Sequence, residues 1–366
     1  MNDKSEISKK EALKEEIRKN EILRKNVLDS ISVIVQGKVL GLPGDPYEKQ
    51  LTLQCIESLK NFMPKAEIIL STWEGSDVSH LTYHKVIFNK DPGAIAYHVN
   101  DPTYLNNNSR QIVSTYNGLK AATKIYAVKM RGDCKLTDTD FINYLKEYPR
   151  GKQYQFFKQR IVIPTKYTRN PRRIAQLIHP SDIFQVGLLE DLLNLWDIPV
   201  QPEPQTTQAF PLEKQIFNNA LIGGFHRMKF GAEQYIWYAF CKKYGLNLEL
   251  KHYSHIPANK ILASDMSIVN NFVIEDAVRL GVILPKKMTA HTDHDLYTHE
   301  EWLRLSKMYS QGITKLYKWK LVGQVYMSNA SRILFRAQHR LFNYGTSKFW
   351  DSLKRYTASR TLGLSK

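Results

Sequence analysis

The segment YAVKMRGD, Tyr126 to Asp133, sets Lys129 and Arg131 in alternation along a short apolar stretch and ends on a bare carboxylate. A strand that only packs has no use for an acid at its tip, whereas one that presents a metal or a diphosphate does. Asp133 is thus a candidate to hold a divalent cation, Mn2+ or Mg2+, with Arg131 and Lys129 as cationic partners for phosphate oxygens. The competing reading is an Asp that turns a surface loop before Cys134. Arg110 opens a helix from Ser109 to Leu119, and an Arg beside free helix-start N–H groups makes a phosphate cradle. Asn108 reads as that helix's cap. Glu233 begins AEQYIWYAFCKK, where a helix start favours an ionised carboxylate; it is a candidate base or an ordinary first-turn Glu.

Other groups speak less clearly. Glu190 and Asp191 in GLLEDLLNLW form a rival pair of carboxylates, set in an amphipathic helix where they read as a solvated or capping face. Asp182 in HPSDIF suits contact with a sugar hydroxyl or the bracing of a turn. His291 and His294 in HTDHD have helical metal spacing within a polar loop. Arg160, Lys166, Arg169, Arg172 and Arg173 cluster in QRIVIPTKYTRNPRR, as a solvated loop or a face for an anionic acceptor.

The elements that must position these residues alternate. ISVIVQG (Ile31 to Gly37) is a β-branched apolar run typical of a strand buried on both faces. After a Gly- and Pro-rich loop, an amphipathic helix covers Leu51 to Phe62. Strands follow at Glu67 to Thr72 and Val86 to Phe88, the latter ended by Asp91-Pro92-Gly93. The helix near Asn108 leads to the strand Ile125 to Met130. Strand–helix alternation of this length predicts β-α-β units and a mostly parallel sheet, whose ligands sit at the strands' carboxyl ends. The polar tips Gln36, Trp73–Glu74, Asn89–Asp91 and Asp133 would share that edge. Farther on, Tyr154 to Ile163 and His179 to Pro199 read as strands, the latter with a helix from Leu188 to Trp196. A further helix covers Ala232 to Gly245, ending in a capping glycine.

The chain has 366 residues, 52 Lys and Arg against 35 Asp and Glu, and a net charge of +17. That surplus calls for an anionic partner. Hydrophobic residues make up 43%, ordinary for a globular protein. Cys55, Cys134 and Cys241 have no CxxC spacing, which predicts a reducing compartment without structural zinc. The first residues lack the apolar core of a signal peptide. No apolar run of membrane-spanning length occurs. A cytoplasmic protein, soluble or peripheral on the inner face of the membrane, is expected.

The order SVIVQG, helix, AEIILSTWEGSDV, DPG, NNNSRQIVSTYNGLKAA, YAVKMRGD resembles the nucleotide-sugar-binding half of a GT-A glycosyltransferase. More narrowly, ILSTWEGSDV, NNNSRQIVST, VKMRGD, HPSDIFQ and EDLLNLWDIP resemble the WavE lipopolysaccharide-synthesis family over roughly residues 30–320. The resemblance implies a GT-A-like, Rossmann-type, mostly parallel sheet flanked by helices. It implies a nucleoside pocket lined by Gln36 and Thr72 to Glu74, with Asp133 as the metal carboxylate of an Asp-x-Asp site. Here Arg131 replaces the first Asp of that pattern, which leaves one carboxylate and either weakens metal affinity or hands part of the charge neutralisation to Arg131 and Lys129. Glu233 falls where such enzymes often set the base, and some supply a late His to the metal.

The expected organisation is a charged helix over residues 1–29, a transferase domain over 30–300, and a basic, aromatic-rich helical tail over 301–366. From Trp302 to Lys366 the one acidic residue is Asp351. The stretch SRILFRAQHRLFNYG suits a helix lying on an anionic membrane surface. The reading is a glycosyltransferase moving a sugar from a nucleotide-sugar donor, a UDP-sugar first, to a lipid-linked or lipopolysaccharide-core glycan, with inversion. No specific nucleic acid is expected, since no RRM, KH or helix-turn-helix signature is present. The alternatives are a non-enzymatic membrane- or nucleic-acid-binding module and a sugar-phosphate nucleotidyltransferase. The latter should carry a basic Gly-rich loop after the first strand, where GKVLGLPGDP offers only Lys38.

Overall fold

The computed structural model describes residues 21–98, 101–201, 229–285, 288, 293–332 and 334. At its centre is a seven-stranded sheet in the order β10-β8-β9-β6-β1-β2-β3. Its strands are β1 (Ile31–Gln36), β2 (Glu67–Trp73), β3 (Lys85–Asn89), β6 (Tyr126–Arg131), β8 (Ile161–Pro164), β9 (Phe184–Leu188) and β10 (Phe272–Glu275). β1 lies parallel to both β2 and β6, β2 to β3, and β8 to β10. β9 alone runs against its neighbours β6 and β8. The expected mostly parallel α/β sheet flanked by helices is therefore present. Two small antiparallel ladders accompany it: β4 (Ile95–His98) with β5 (Asp101–Asn106), and β7 (Lys135–Leu136) with β11 (Val282–Ile283).

The middle strands are buried along their whole length, which is why they read as unbroken apolar runs rather than alternating ones. Three buried strand residues, Ser32, Ser71 and Asn89, spend their polar atoms internally. Ser32 Oγ donates to Glu67 at 2.5 Å, Ser71 Oγ to the Ser114 carbonyl at 2.6 Å, and Asn89 Nδ2 to the Thr72 carbonyl at 2.8 Å.

Helices cover both faces. The segment 21–29 (α1) is followed by α2 (Leu51–Phe62), α3 (Asn108–Lys120), α4 (Leu189–Trp196), α5 (Ala232–Lys243), α6 (Ala258–Asn271), α7 (His299–Gln311) and residues 315–332 (α8). α3 presses on β1 and β2 at Gly118, where an added Cβ would lie 2.5 Å from Ile34 Cγ2 and 3.0 Å from Ser71 Cβ. Only a residue without a side chain permits that approach. Asn108 is not the cap of α3 but its first residue; Asn107 precedes it, and the Asn108 amide instead donates to Gln201 Oε1 at 2.9 Å.

Residues 154–160 do not extend β8. Their backbone is satisfied by a side chain instead: Asn271 Oδ1 accepts from the N–H groups of Phe156 (2.7 Å) and Phe157 (3.2 Å). Phe157 meanwhile stacks among Trp237, Phe240 and Phe272. Aromatic anchoring thus replaces strand pairing there.

α7 straddles the boundary expected at residue 300 and packs Trp302, Leu305 and Tyr309 into the core. The loop before it is pinned by a buried cluster. Arg172 makes a two-point ion pair with Asp265, both bonds 2.7 Å, and Asp265 also accepts from the hydroxyls of Tyr297 and Tyr309.

Candidate functional site

Along the carboxyl ends of β1, β2 and β6 lies a cleft of about 830 Å³. The loop after β1 supplies Gly37 to Leu40 and Leu42, the loop after β2 supplies Trp73 to Asp77, and the end of β6 supplies Arg131, Gly132 and Asp133. Asp91, Asn107, Arg110 and Gln111 close the remaining side. Parallel strands end together, so residues far apart in sequence meet at one edge. Gln36, Glu74, Arg110, Arg131 and Asp133 all line this cleft, as the sequence predicts.

Gln36 is held for that position: its Oε1 accepts from Ser114 Oγ at 2.9 Å. Arg110 is not a free phosphate ligand. Its guanidinium forms a two-point pair with Asp91, at 2.7 and 2.6 Å, and the Arg110 hydrogen bond holds the Asp91 carboxyl below its usual range. Asp91 enters the site through this pair.

Thr72 and Lys129 stand apart from the cleft wall. Thr72 is fully buried and braces the loop behind it, its hydroxyl 3.2 Å from Ser76 Oγ. Lys129, one pleat below Arg131 on the same face of β6, is also fully buried. It donates to the Asp182 carbonyl and lies 5.0 Å from the centre of the Trp196 ring. Burial, partly offset by Asp182, brings its pKa down to about 8. The expectation that Lys129 touches a phosphate fails because the pleat buries it.

Arg131 and Asp133 form the cleft's central feature. Arg131 Nε donates to one carboxylate oxygen at 2.8 Å and Nη2 to the other at 2.7 Å. The Asp133 side chain is 2% exposed and that of Arg131 29%. Asp133 is the buried member and Arg131 the one facing the cleft.

Behind this pair lies a cluster of buried and part-buried polar side chains. The reversed direction of β9 pairs Phe184 with Met130 and so brings Asp182, just before the strand, to the same edge as Arg131. Gln111, a cleft residue, donates to Asp182 Oδ2 at 2.6 Å and links the cluster to the cleft. Burial and the neighbouring Glu233 raise the Asp182 pKa, against the pull of Lys129 and Arg131. Glu233 sits at the start of α5, its side chain 16% exposed. Burial raises its pKa too, opposed by its own helix N–H and by Arg169, Lys129 and Arg131. The helix start is set by Gly231, where a Cβ would come within 2.5 Å of the Tyr253 ring.

His179 completes the cluster. Its Nδ1 lies 2.8 Å from the Tyr167 carbonyl oxygen, which can only accept, so Nδ1 carries the proton. Nε2 is then free to accept from the Tyr253 hydroxyl at 3.1 Å. Burial and the nearby Arg169 bring the His179 pKa down to about 4, leaving a neutral ring 3.6 Å from Glu233. Two residues in this loop, Tyr167 (φ 66°) and Ile178 (φ 51°), hold left-handed backbone conformations. Such strain persists where the surroundings over-determine it. His179 and Tyr253 carried no spacing signal in the sequence, and Asp182 carried an ambiguous one.

The basic run resolves into supports rather than a solvated loop or a free cationic face. Arg160 is buried against the carbonyls of Val269, Tyr148 and Pro149, Arg172 against Asp265, and Arg173 pairs with Glu301 at 2.9 Å. Asp191 accepts from the N–H groups of Lys158 and Gln159, at 3.0 and 2.9 Å, and so braces a loop, while Glu190 pairs with Lys158 at the surface.

Among the described residues no three His, Cys, Asp or Glu side chains converge as a cation site requires. Asp133, the expected metal carboxylate, has both oxygens engaged by Arg131. The described residues at this edge do not fit a resident divalent cation. His291 lies outside the described residues, and His294 is exposed.

The family model for WavE lipopolysaccharide synthesis matches residues 31–339, most of the chain. The chain belongs to the WavE lipopolysaccharide synthesis family. Both the cleft and the polar cluster of this WavE chain fall inside the matched region. No curated protein matches its sequence. Among solved structures it is similar to a 4-diphosphocytidyl-2C-methyl-D-erythritol synthase from Anaerococcus prevotii, at 12% identity over 48% of this chain and 81% of that one, TM-score 0.28. A cytidylyltransferase from Leptospira borgpetersenii matches at 11% identity over 78% and 98%, TM-score 0.30. A mannosyltransferase from Pyrobaculum calidifontis, in complex with GDP-Man and Mn2+, matches at 13% over 88% and 87%, TM-score 0.26. At these TM-scores the likenesses carry no argument. The fold assignment of the WavE chain rests on its own strand order.

Proposed function

We propose that this WavE chain is a glycosyltransferase that moves a sugar from a nucleoside-diphosphate donor to a hydroxyl of a lipopolysaccharide or capsule glycan. The observation that carries the reading is the cleft at the carboxyl ends of parallel strands, with Arg131 facing it and two carboxyls behind it, the buried Asp182 and the part-buried Glu233.

In this reading Gln36, Trp73 and Glu74 receive the nucleoside, and Arg131 receives the diphosphate. Two of the Arg131 N–H groups are spent on Asp133, which fixes the plane of the guanidinium; the remaining ones are available to phosphate oxygens. Positive charge held in place before the reaction stabilises the charge that builds on the leaving group. The acceptor oxygen attacks the anomeric carbon, the bond to the diphosphate oxygen breaks with its electron pair, and the hydroxyl proton passes to Glu233. A carboxylate with a raised pKa suits that transfer, because its basicity lies closer to neutral pH. One displacement inverts the anomeric configuration. No step is assigned to a divalent cation.

A second reading, sugar-phosphate nucleotidyl transfer, draws support from the loop Gly37 to Leu40, which borders the cleft as a phosphate-binding loop would. Calorimetry with UDP, GDP and CMP, each with Mn2+ and with EDTA, tests the first reading. CTP and UTP in the same titrations test the second. Tighter binding of a triphosphate than of its diphosphate would move the nucleotidyl reading ahead. Binding of none of these compounds would overturn both.

A further inference from the structure

α8 has two apolar faces, and only one of them is used. Leu321, Val325 and Asn329 are buried against the body, and Arg332, on the same side, bonds to Asp295 and the Arg173 carbonyl. On the opposite side Leu316, Trp319, Gly323, Met327, Ala330 and Leu334 recur every three or four residues, forming one continuous helical stripe. Leu316 is 78% exposed, Trp319 and Met327 74% and Leu334 69%. Such a run of large apolar side chains on one exposed face marks a contact surface. Lys320 stands exposed beside it and Lys315 on its flank.

We propose that this face docks the protein on an anionic lipid bilayer, with Leu316, Trp319, Met327 and Leu334 entering the headgroup region and the lysines meeting the lipid charge. Charge complementarity decides the occupant. A second copy docking through the same face would bring one cationic patch against its twin, a like-charge contact that costs association. An anionic bilayer meets both the charge and the apolar stripe at once. Trp belongs at such a boundary because its ring is apolar and its N–H polar, and lysines reach from buried stems to charged headgroups. The sequence pointed for this role to the tail over 301–366, within which the stripe falls; of its stretch SRILFRAQHRLFNYG only Ser331, Arg332 and Leu334 are among the described residues. Among the described residues no helix is long and apolar enough to cross a membrane, so the contact is with the surface. The inference stands apart from the nucleotide reading, since it uses none of the cleft residues.

The test is flotation of the full chain with vesicles of phosphatidylcholine alone and with added phosphatidylglycerol. Partition to the anionic vesicles, weakened by salt, is expected. The exposed pair Leu316→Asp and Met327→Asp should weaken it roughly tenfold or more. Brominated lipids should quench fluorescence in the parent chain and less in Trp319→Phe. Circular dichroism and urea unfolding check that the variants remain folded. Equal partition of parent and double variant would overturn the proposal, as would no partition at all. A stable dimer that the double variant dissolves would assign the face to a second copy instead, and preference for a random oligonucleotide over the vesicles would assign it to nucleic acid.

Discussion

Arg131 and Asp133, two residues apart at the end of β6, close a two-point ion pair in which the carboxylate is buried and the guanidinium faces the cleft. Asp133 therefore orients a cation that the chain itself supplies. This relationship separates a protein-borne positive charge from a bound metal, and the first prediction follows from it.

Nucleotide binding should be equal within about twofold in EDTA and in Mn2+, while Arg131→Lys should weaken it roughly tenfold. Lysine keeps the charge but loses the fork. Arg131→Ala is the poorer variant, because it strands Asp133 in a buried place. Calorimetry reads both effects, and an absolute need for Mn2+ would overturn the assignment.

Glu233→Gln should lower kcat by about 10²–10⁴ while leaving donor affinity near that of the parent chain. In the parent the rate should rise with pH as Glu233 loses its proton, at a pH above the ordinary carboxylate range because its pKa is raised. The same shift has a sign for stability. Ionising a group whose folded pKa is raised opposes folding, so Glu233 favours the folded state as pH falls through that range. A flat limb in the Glu233→Gln profile is the outcome that supports its role as base.

His179 acts in the opposite direction. Its folded pKa of about 4 lies below the ordinary histidine value of about 6.5. Between those values the unfolded chain binds a proton that the folded chain refuses, so stability falls as pH drops from about 6.5 toward 4. Urea unfolding of the parent and of His179→Gln across that window should show the acid-side loss shrink in the variant. An unchanged difference between the two chains at every pH would contradict this.

Asp265→Ala should cost about 3–5 kcal/mol, since it leaves Arg172 charged and buried without its partner. Replacing both, with Arg172→Met and Asp265→Leu, should cost less than the single change. Equilibrium unfolding measures each, and additivity of the two substitutions would refute the pairing.

Much of the parallel half of the sheet was legible in sequence, and for a physical reason. β1 and β2 are buried on both faces, so their apolar runs are long, and the polar residues that end them mark the edge without further information. Gln36, Glu74, Arg131 and Asp133 could be placed in one cleft on that basis. Lys129 could not, because alternation tells which face a side chain takes but not how far below the edge it lies. The polar cluster was harder still. Asp182 reaches the edge only because β9 is reversed, and no local pattern announces the direction of a strand. His179 and Tyr253 meet through tertiary contact across a long stretch of chain. The basic run misled in the same way: Arg160 and Arg172 read as surface charge, yet each finds a buried partner distant in sequence. Residues 154–160, rich in aromatic and β-prone side chains, were claimed by an aromatic cluster and by the Asn271 amide instead of a ladder.

The single reversed strand also divides the sheet's labour. To one side of β9 lie the strands whose loops form the cleft; to the other lie β8 and β10, whose loops carry Tyr167 and its neighbours. Each side has its own hydrogen-bonded ladder, joined through one antiparallel seam. The two sides are nevertheless tied across it, because Asp182, from the connection between β8 and β9, takes hydrogen bonds from Lys129 of β6 and from the cleft residue Gln111. A shift of that connection would reach the cleft wall through Gln111.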